Sequence, residues 1–271
     1  MNCDTVCKVC SSNKGEVILD VSNYSDTYLD YLNIEYKSKK RYYKECKFCK
    51  LVYRSIFLEE DEKKRLYKSF RDKELRNETH KEYFKRISEL PKEESENYEK
   101  YEFLKDFIVP SGKHMDVGGG LGVFSFGFLK YFEKWSSIVV EPTEGADEIA
   151  NENDIVFYNI YLNEESISLI GNNFDLITVN HVIEHVDDPI QFLKTLKKFL
   201  SKEGILYIEM PSTLDIGYLD KSHDRFMCQH EVIYNNESLN LLAKKANYDV
   251  IYNNNFIPKR GRNNVRAILK P

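Results

Sequence analysis

Residues 113–122, KHMDVGGGLG, constrain this chain more than any other stretch. A short run ending in Val117 meets Gly118, Gly119, Gly120 and Gly122, and an apolar segment over 123–132 follows. The pattern predicts strand, tight turn, helix. Glycine lets a backbone turn sharply and approach a ligand where a Cβ would clash. The helix that opens there presents free N–H groups at its positive end. P-loops and dinucleotide folds use the same device, but no Gly-Lys-Ser/Thr ending follows, which argues against a P-loop. Two carboxylates sharpen the reading. Asp116 stands two residues before the first glycine, and Glu141 ends the next predicted strand, 137–141.

From there the chain alternates. Strands are predicted over 113–117, 137–141, 155–158, 174–180 and 204–210, with helices over 123–132, 144–152, 189–200 and 237–246 between or after them. Two further strands, 248–256 and 264–270, are separated by a short turn region containing Pro-Lys-Arg-Gly. Such alternation predicts an α/β fold, a mostly parallel sheet with helices on both faces. Ligands in such sheets sit at the carboxyl ends of the strands, at the point where strand order reverses.

These motifs resemble the class I S-adenosylmethionine-dependent methyltransferases. Their acidic-x-Gly-x-Gly-x-Gly motif is matched by Asp116, Gly118, Gly120 and Gly122, and their acidic residue at the end of strand two by Glu141. The stretch from Phe174 to Pro211, which opens FDLITVNHVIEHVDDP, is similar to their fourth strand, loop, helix and fifth strand. The resemblance covers roughly residues 103–271. It implies a Rossmann-like seven-stranded sheet ending in an antiparallel hairpin, and S-adenosyl-L-methionine as cofactor. It further implies that Gly118, Gly119, Gly120 and Gly122 let the backbone reach that cofactor, and that Glu141 accepts from its ribose hydroxyls. A nicotinamide cofactor's ribose would be served equally, so Glu141 alone does not discriminate. Asp116 either orients the glycine loop toward the cofactor or bonds buried groups of the turn. Family members often carry an Asp after strand three for the adenine amino group. Here that region reads FYNIYLNEE, with Asn159 as the nearest polar candidate.

Asn180 and His181 leave the fourth strand next to the expected cofactor site. Glu184 and His185 follow, either as a catalytic pair or as stabilisers of the loop. A histidine near neutral pKa suits a general base for a substrate hydroxyl. The stretch 212–239 holds His223, Asp224, Arg225, Cys228, Gln229 and His230. Its HEVIYNNESL ending resembles the segment carrying the base histidine of sugar C-methyltransferases. Their Tyr-His-Glu-His appears here as Met227, Cys228, Gln229 and His230, so only the last histidine is kept. His230 is therefore the first candidate for a hydroxyl base, and Cys228 reads as a small buried residue.

Five of the six cysteines lie in the first 49 residues. Cys7-x-x-Cys10 and Cys46-x-x-Cys49 form two knuckle-type pairs, enough for a closed structural Zn²⁺ site. Disulfides are the rival, disfavoured in a chain read as cytoplasmic because its N-terminus has no apolar signal-peptide core. Cys3 is a spare that could replace Cys7. The arrangement resembles the zinc-binding N-terminal module of some sugar-modifying methyltransferases. The expected organisation is a zinc module over 1–57, a helical linker or cap over 58–107, and the methyltransferase domain over 108–271. In the charged linker, EEDEKKRLYKSFRDKEL reads as one amphipathic helix and residues 97–108 as another, separated at Pro91. His80 reads as an exposed helix residue.

A net charge of −5 argues against a general nucleic-acid binder, and no apolar run approaches a membrane span of ~18 residues. The expected activity is O-methylation of a small molecule, a sugar or nucleotide-activated precursor of capsule or surface polysaccharide. C-methylation of a nucleotide-linked keto-deoxysugar and a non-enzymatic zinc-containing binding module are the alternatives.

Overall fold

A computed structural model describes residues 5–70 and 72–271, so Cys3 lies outside the described residues. Eleven strands are described: β1 (Gly15–Asp20), β2 (Tyr42–Cys46), β3 (Val52–Arg54), β4 (Gly112–Val117), β5 (Trp135–Val140), β6 (Val156–Tyr158), β7 (Phe174–Asn180), β8 (Leu200–Pro211), β9 (Val232–Ile233), β10 (Asp249–Phe256) and β11 (Asn264–Lys270). The helices are α1 (Thr27–Tyr31), α2 (Glu60–Lys68), α3 (Lys73–Arg76), α4 (His80–Ser88), α5 (Glu96–Leu104), α6 (Val123–Tyr131), α7 (Ala146–Glu152), α8 (Ile167–Ile170), α9 (Pro189–Phe199) and α10 (Asn236–Lys245).

Seven strands form the main sheet in the order β10-β11-β8-β7-β4-β5-β6. Five run parallel, and β11 is antiparallel to both β8 and β10. The central strands are apolar on both faces (Met115, Val117, Leu176, Ile177, Val179, Leu206, Ile208), as a sheet covered by helices on both sides requires. The chain winds outward from β4 through β5 to β6, then returns to place β7 on the other side of β4. The crevice at the carboxyl ends of β4 and β7 is the expected ligand position for this topology.

The strand–turn–helix joint forms as the sequence predicts, for a partly different reason. Gly118 (φ 70°), Gly120 (φ 57°) and Gly122 (φ 78°) all adopt left-handed backbone. A Cβ on Gly118 would stand 2.3 Å from Val182 Cγ2. Close approach at Gly118 is thus first to the loop after β7, within the protein, before any ligand is considered.

The linker differs most from expectation. Two helices, α2 and α3, occupy the 59–75 stretch predicted as one, and after Asn77 turns left-handed (φ 56°) a further helix, α4, starts at His80. That start is a capping box, with the Thr79 side chain accepting from Glu82 N–H and Glu82 answering on Thr79 N–H. His80 is half-buried beside Gly145.

The cysteine segment builds a second sheet, β1-β2-β3-β9, whose fourth strand comes from beyond β8. Val52 pairs with Ile233 and Tyr53 with Val232. Its apolar residues Val9, Leu51 and Tyr53 share one core with Val117, Ile177 and Tyr234. The polar tie lies at Glu231, only 2% exposed. Lys8, inside the first cysteine pair, and Lys63 of α2 both pair with its carboxylate. Lys8 also donates to Val186 O at 3.0 Å.

Both contacts can be tested by substitution. Lys8→Met leaves a buried carboxylate with one cation instead of two, and unfolding by urea should show a loss of about 2 kcal/mol, below the full cost of orphaning a buried ion. A change under about 0.5 kcal/mol would mark the contact as a bystander of the surface kind. Gly118→Ala should destabilise by roughly 1–3 kcal/mol through backbone strain and the Val182 contact. Adding Val182→Ala should recover the steric part, giving a coupling of about 1 kcal/mol, and simple additivity would refute the contact.

Candidate active site

One cavity of about 1150 Å³ opens at the crevice between β4 and β7. Gly118, Gly119, Gly120, Asp116, Glu141, Asn180, His181, His185 and His230 all line it. Helices α2, α4 and α5 supply further wall through Lys63, Tyr67, Tyr83, Arg86 and Lys100. The linker therefore borders the cavity and does more than connect.

At the β4 and β5 side, Glu141 is tied to the glycine loop. Its Oε2 accepts from Gly120 N–H at 3.0 Å, and its Oε1 from Thr143 N–H (3.1 Å) and Oγ1 (2.6 Å). A carboxylate offers about four lone-pair positions, so Oε2 keeps one for a ligand hydroxyl. Asp116 is almost fully buried beneath the loop, and Thr178 (2.6 Å) and Ser125 (3.4 Å) donate to it. Burial raises its carboxyl to about 7 against those hydroxyls. The partners are hydroxyls, where the sequence offered buried groups of the turn. Asn180 holds both ends of its amide buried with no hydrogen-bond partner among the described residues. An orphaned amide at a cavity wall is what a bound polar ligand would satisfy. These groups fit the adenosyl cofactor that such a loop implies. Gly122 caps α6 outside the cavity. Asn159 lines a neighbouring hollow and holds Thr143 O at 2.8 Å.

The loop after β7 carries buried charge. His181, in left-handed backbone (φ 54°), places Nδ1 3.4 Å from Glu184 Oε1 and Nε2 3.6 Å from Glu209 Oε1. Burial would lower its pKa, but the two carboxylates outweigh that and lift it to about 9. His181 is thus a fixed cation. Glu209 is fully buried, accepts from Tyr207 (2.5 Å) and Asn264 (2.9 Å), and pairs with Lys100 at 3.4 Å. Burial pushes its carboxyl up, yet Lys100 and His181 hold it well below the usual range.

Beside this row, His185 and His230 stack with centroids 5.2 Å apart and planes at 20°. His185 Nδ1 bonds Gln229 O, and His230 Nδ1 bonds Asp224 O at 3.1 Å. The Tyr67 ring meets His185 edge-on at 5.8 Å. Burial and then the neighbouring His185 push the His230 imidazole down to about 3. The sequence expects a histidine of near-neutral pKa here, and the half-buried setting of this ring makes it less basic than that. Cys228 is buried (2% exposed), and Arg225 braces the same loop through Ser212 O and Asp215.

Glu209, Lys100, Tyr67 and Asn264 went unread in the sequence. Glu209 had a signal, a lone acid inside the apolar run ILYIEM.

A second cluster lies apart from the cavity. One Sγ each from Cys7, Cys10, Cys46 and Cys49 fall within 4.8 Å of one another. Cys7–Cys49 and Cys10–Cys46 stand at 3.4 Å, well beyond a disulfide bond of about 2.05 Å. Tetrahedral Zn–S bonds of about 2.3 Å put sulfurs about 3.8 Å apart, so the four thiols fit such an ion. The knuckles match: the residue after each pair, Ser11 (φ 61°) and Lys50 (φ 60°), turns left-handed.

Comparison with known proteins accords with this geometry. The ubiquinone biosynthesis O-methyltransferase of Histophilus somni is 26% identical over 155 residues, 49% of this chain and 65% of that one. This chain spans about half the length of the curated relatives it matches. Among solved structures, the plantazolicin methyltransferase BpumL in complex with a pentazolic desmethylPZN analog and SAH superposes with a TM-score of 0.55 at 16% identity, covering 76% of this chain and 94% of that one. An O-methyltransferase family protein from Burkholderia thailandensis gives 0.54 at 11% identity, covering 76% and 63%. These two likenesses show the fold. The model of the methyltransferase domain matches residues 58–253, well over half of the chain, and the chain belongs to that family.

Proposed function

We propose that this chain moves a methyl group from S-adenosylmethionine to an oxygen of a small polar acceptor. One observation carries the reading: the glycine loop with Glu141, and the His185 and His230 pair, belong to one cavity and are joined through the Gly118–Val182 contact. Glu141 would take a ribose hydroxyl, Gly118–Gly120 would allow close backbone approach, and Asn180 would satisfy its orphaned amide on the same ligand. When bound, S-adenosylmethionine supplies an electrophilic sulfonium methyl. The residues then hold the acceptor oxygen in line and keep water out, where alignment is worth several kcal/mol. His185 and His230 each commit Nδ1 to a carbonyl, so Nε2 is free to receive an acceptor hydroxyl's hydrogen bond.

The acceptor we infer is a sugar or nucleotide-activated small molecule, as in surface-polysaccharide assembly. The cavity's size and its charged wall (Lys63, Arg86, Arg260, Arg262) support a large polar substrate. The names of the relatives favour oxygen as acceptor atom, and the missing Tyr and Glu before His230 disfavour C-methylation. We further infer that Cys7, Cys10, Cys46 and Cys49 hold one structural zinc, since four thiolates leave no open position.

Calorimetry should detect S-adenosylhomocysteine binding in the micromolar range. NADH binding in its place would overturn the methyl-transfer reading. Elemental analysis should find about one tightly held zinc per chain, lost in Cys46→Ser together with several degrees of melting temperature. Metal-free protein with intact disulfides would refute the zinc assignment.

A further inference from the structure

Glu184 stands behind the cavity wall, between the lining residues His181 and His185. Its side chain is fully buried, and neither carboxylate oxygen accepts a hydrogen bond among the described residues. Burying a charge without donors is costly enough that some cation or proton must answer it. His181 Nδ1 stands at 3.4 Å and His185 Nε2 at 3.8 Å from Oε1, and His181 also serves Glu209.

The two stacked histidines do not supply the missing donors. His185 Nδ1 faces Gln229 O and His230 Nδ1 faces Asp224 O. A backbone carbonyl only accepts, so each Nδ1 carries a proton, and the second ring nitrogen, Nε2, is the one that can offer a lone pair. One ligand atom from each of Glu184, His185 and His230 lies within 4.8 Å of the others. The three groups thus gather with no hydrogen bond donated to Glu184 among the described residues. Rings fixed through Nδ1–H on carbonyls are the outer-shell arrangement of metal-bound histidine.

We propose that Glu184, His185 and His230 bind one divalent cation of the zinc–manganese type within the cavity. Two imidazoles and a carboxylate are a borderline-to-hard donor set that leaves coordination positions open. An acceptor hydroxyl or water can fill them. The donor chemistry also separates this site from the four cysteines, whose thiolates select softer ions. That the cation serves methyl transfer rests on the proposed methyltransferase activity, whereas its binding does not.

The test uses the full chain carrying its zinc, titrated with Mn²⁺ alone and followed by the electron paramagnetic resonance of free Mn²⁺. One Mn²⁺ per chain should bind, and pulsed resonance should show coupling to histidine nitrogen. Glu184→Gln and His230→Ala should each weaken binding at least about tenfold, with zinc content unchanged. Because Glu184 is buried, the nitrogen coupling in the unmodified chain keeps the test decisive if that variant fails to fold. No Mn²⁺ binding, bound Mn²⁺ without nitrogen coupling, or equal binding by the folded variants would overturn the site and leave a proton as Glu184's partner. S-adenosylhomocysteine calorimetry on the same samples separates the two readings. Cofactor binding without Mn²⁺ sinks the metal site alone, and Mn²⁺ without cofactor sinks methyl transfer alone.

Discussion

The architecture around the cavity turns on one carboxylate. Glu231 is buried between Lys8, from within the first cysteine pair, and Lys63, from the first linker helix. A carboxylate at 2% exposure is tolerable only while both cations and the surrounding backbone stay in place. Its own backbone O accepts from Arg54 N–H at 3.0 Å, which starts the β3–β9 pairing. Its neighbour in sequence is His230. The position of that ring is therefore set by three segments far apart in the chain, and the cysteine sheet is part of the cavity's frame. This gives a physical reason for a four-thiol site here. A segment with few apolar residues of its own would gain folding energy from a metal, and Lys8 would carry that rigidity to Glu231.

Much of this was legible in residue order, and the unread parts share a cause. The glycine turn, the strand 174–180 and the two cysteine pairs are local patterns, and each appears where its spacing places it. Helix α4 was legible too, since Thr79 and Glu82 write out a capping box, but the charges around it hid the break at Asn77. The β3–β9 pairing was not legible. Two residues have no periodicity, and their partner lies about 180 positions earlier. The half-buried position of His230 was lost for the same reason. A polar loop reads as surface until the segments that cover it are known; Tyr43, whose hydroxyl donates to His230 O, and Tyr67, edge-on to the stacked His185, come from two of them.

Charge behind the cavity wall is unevenly answered. Glu209 has Lys100 at 3.4 Å and His181 at 3.6 Å, whereas Glu184 has His181 at 3.4 Å, a ring it shares with Glu209. Asn264 and Tyr207 complete Glu209 with hydrogen bonds, whereas Glu184 has none among the described residues. The asymmetry matters because a satisfied buried ion is structure, while an unsatisfied one is available to a ligand.

The histidines show how environment alone assigns these roles. His114, fully buried in β4, lies 2.7 Å from Ser137 Oγ and 2.8 Å from Thr178 Oγ1. Thr178 donates its own proton to Asp116, so it must accept from His114 Nε2–H, and the ring is a neutral link in a chain ending under the glycine loop. Burial pulls that imidazole down to about 3, consistent with a link that never charges. His181 has two carboxylates beside it, which lift its pKa to about 9 and leave it without a lone pair to offer at neutral pH. His185 and His230 face carbonyls on one side and each other across the stack, so their remaining lone pairs are the exposed chemistry of the pair. The residue type is the same at all four positions. What differs is whether the nearest partners are hydroxyls, carboxylates or carbonyls, and of these four that difference leaves His185 and His230 with a ring nitrogen to offer.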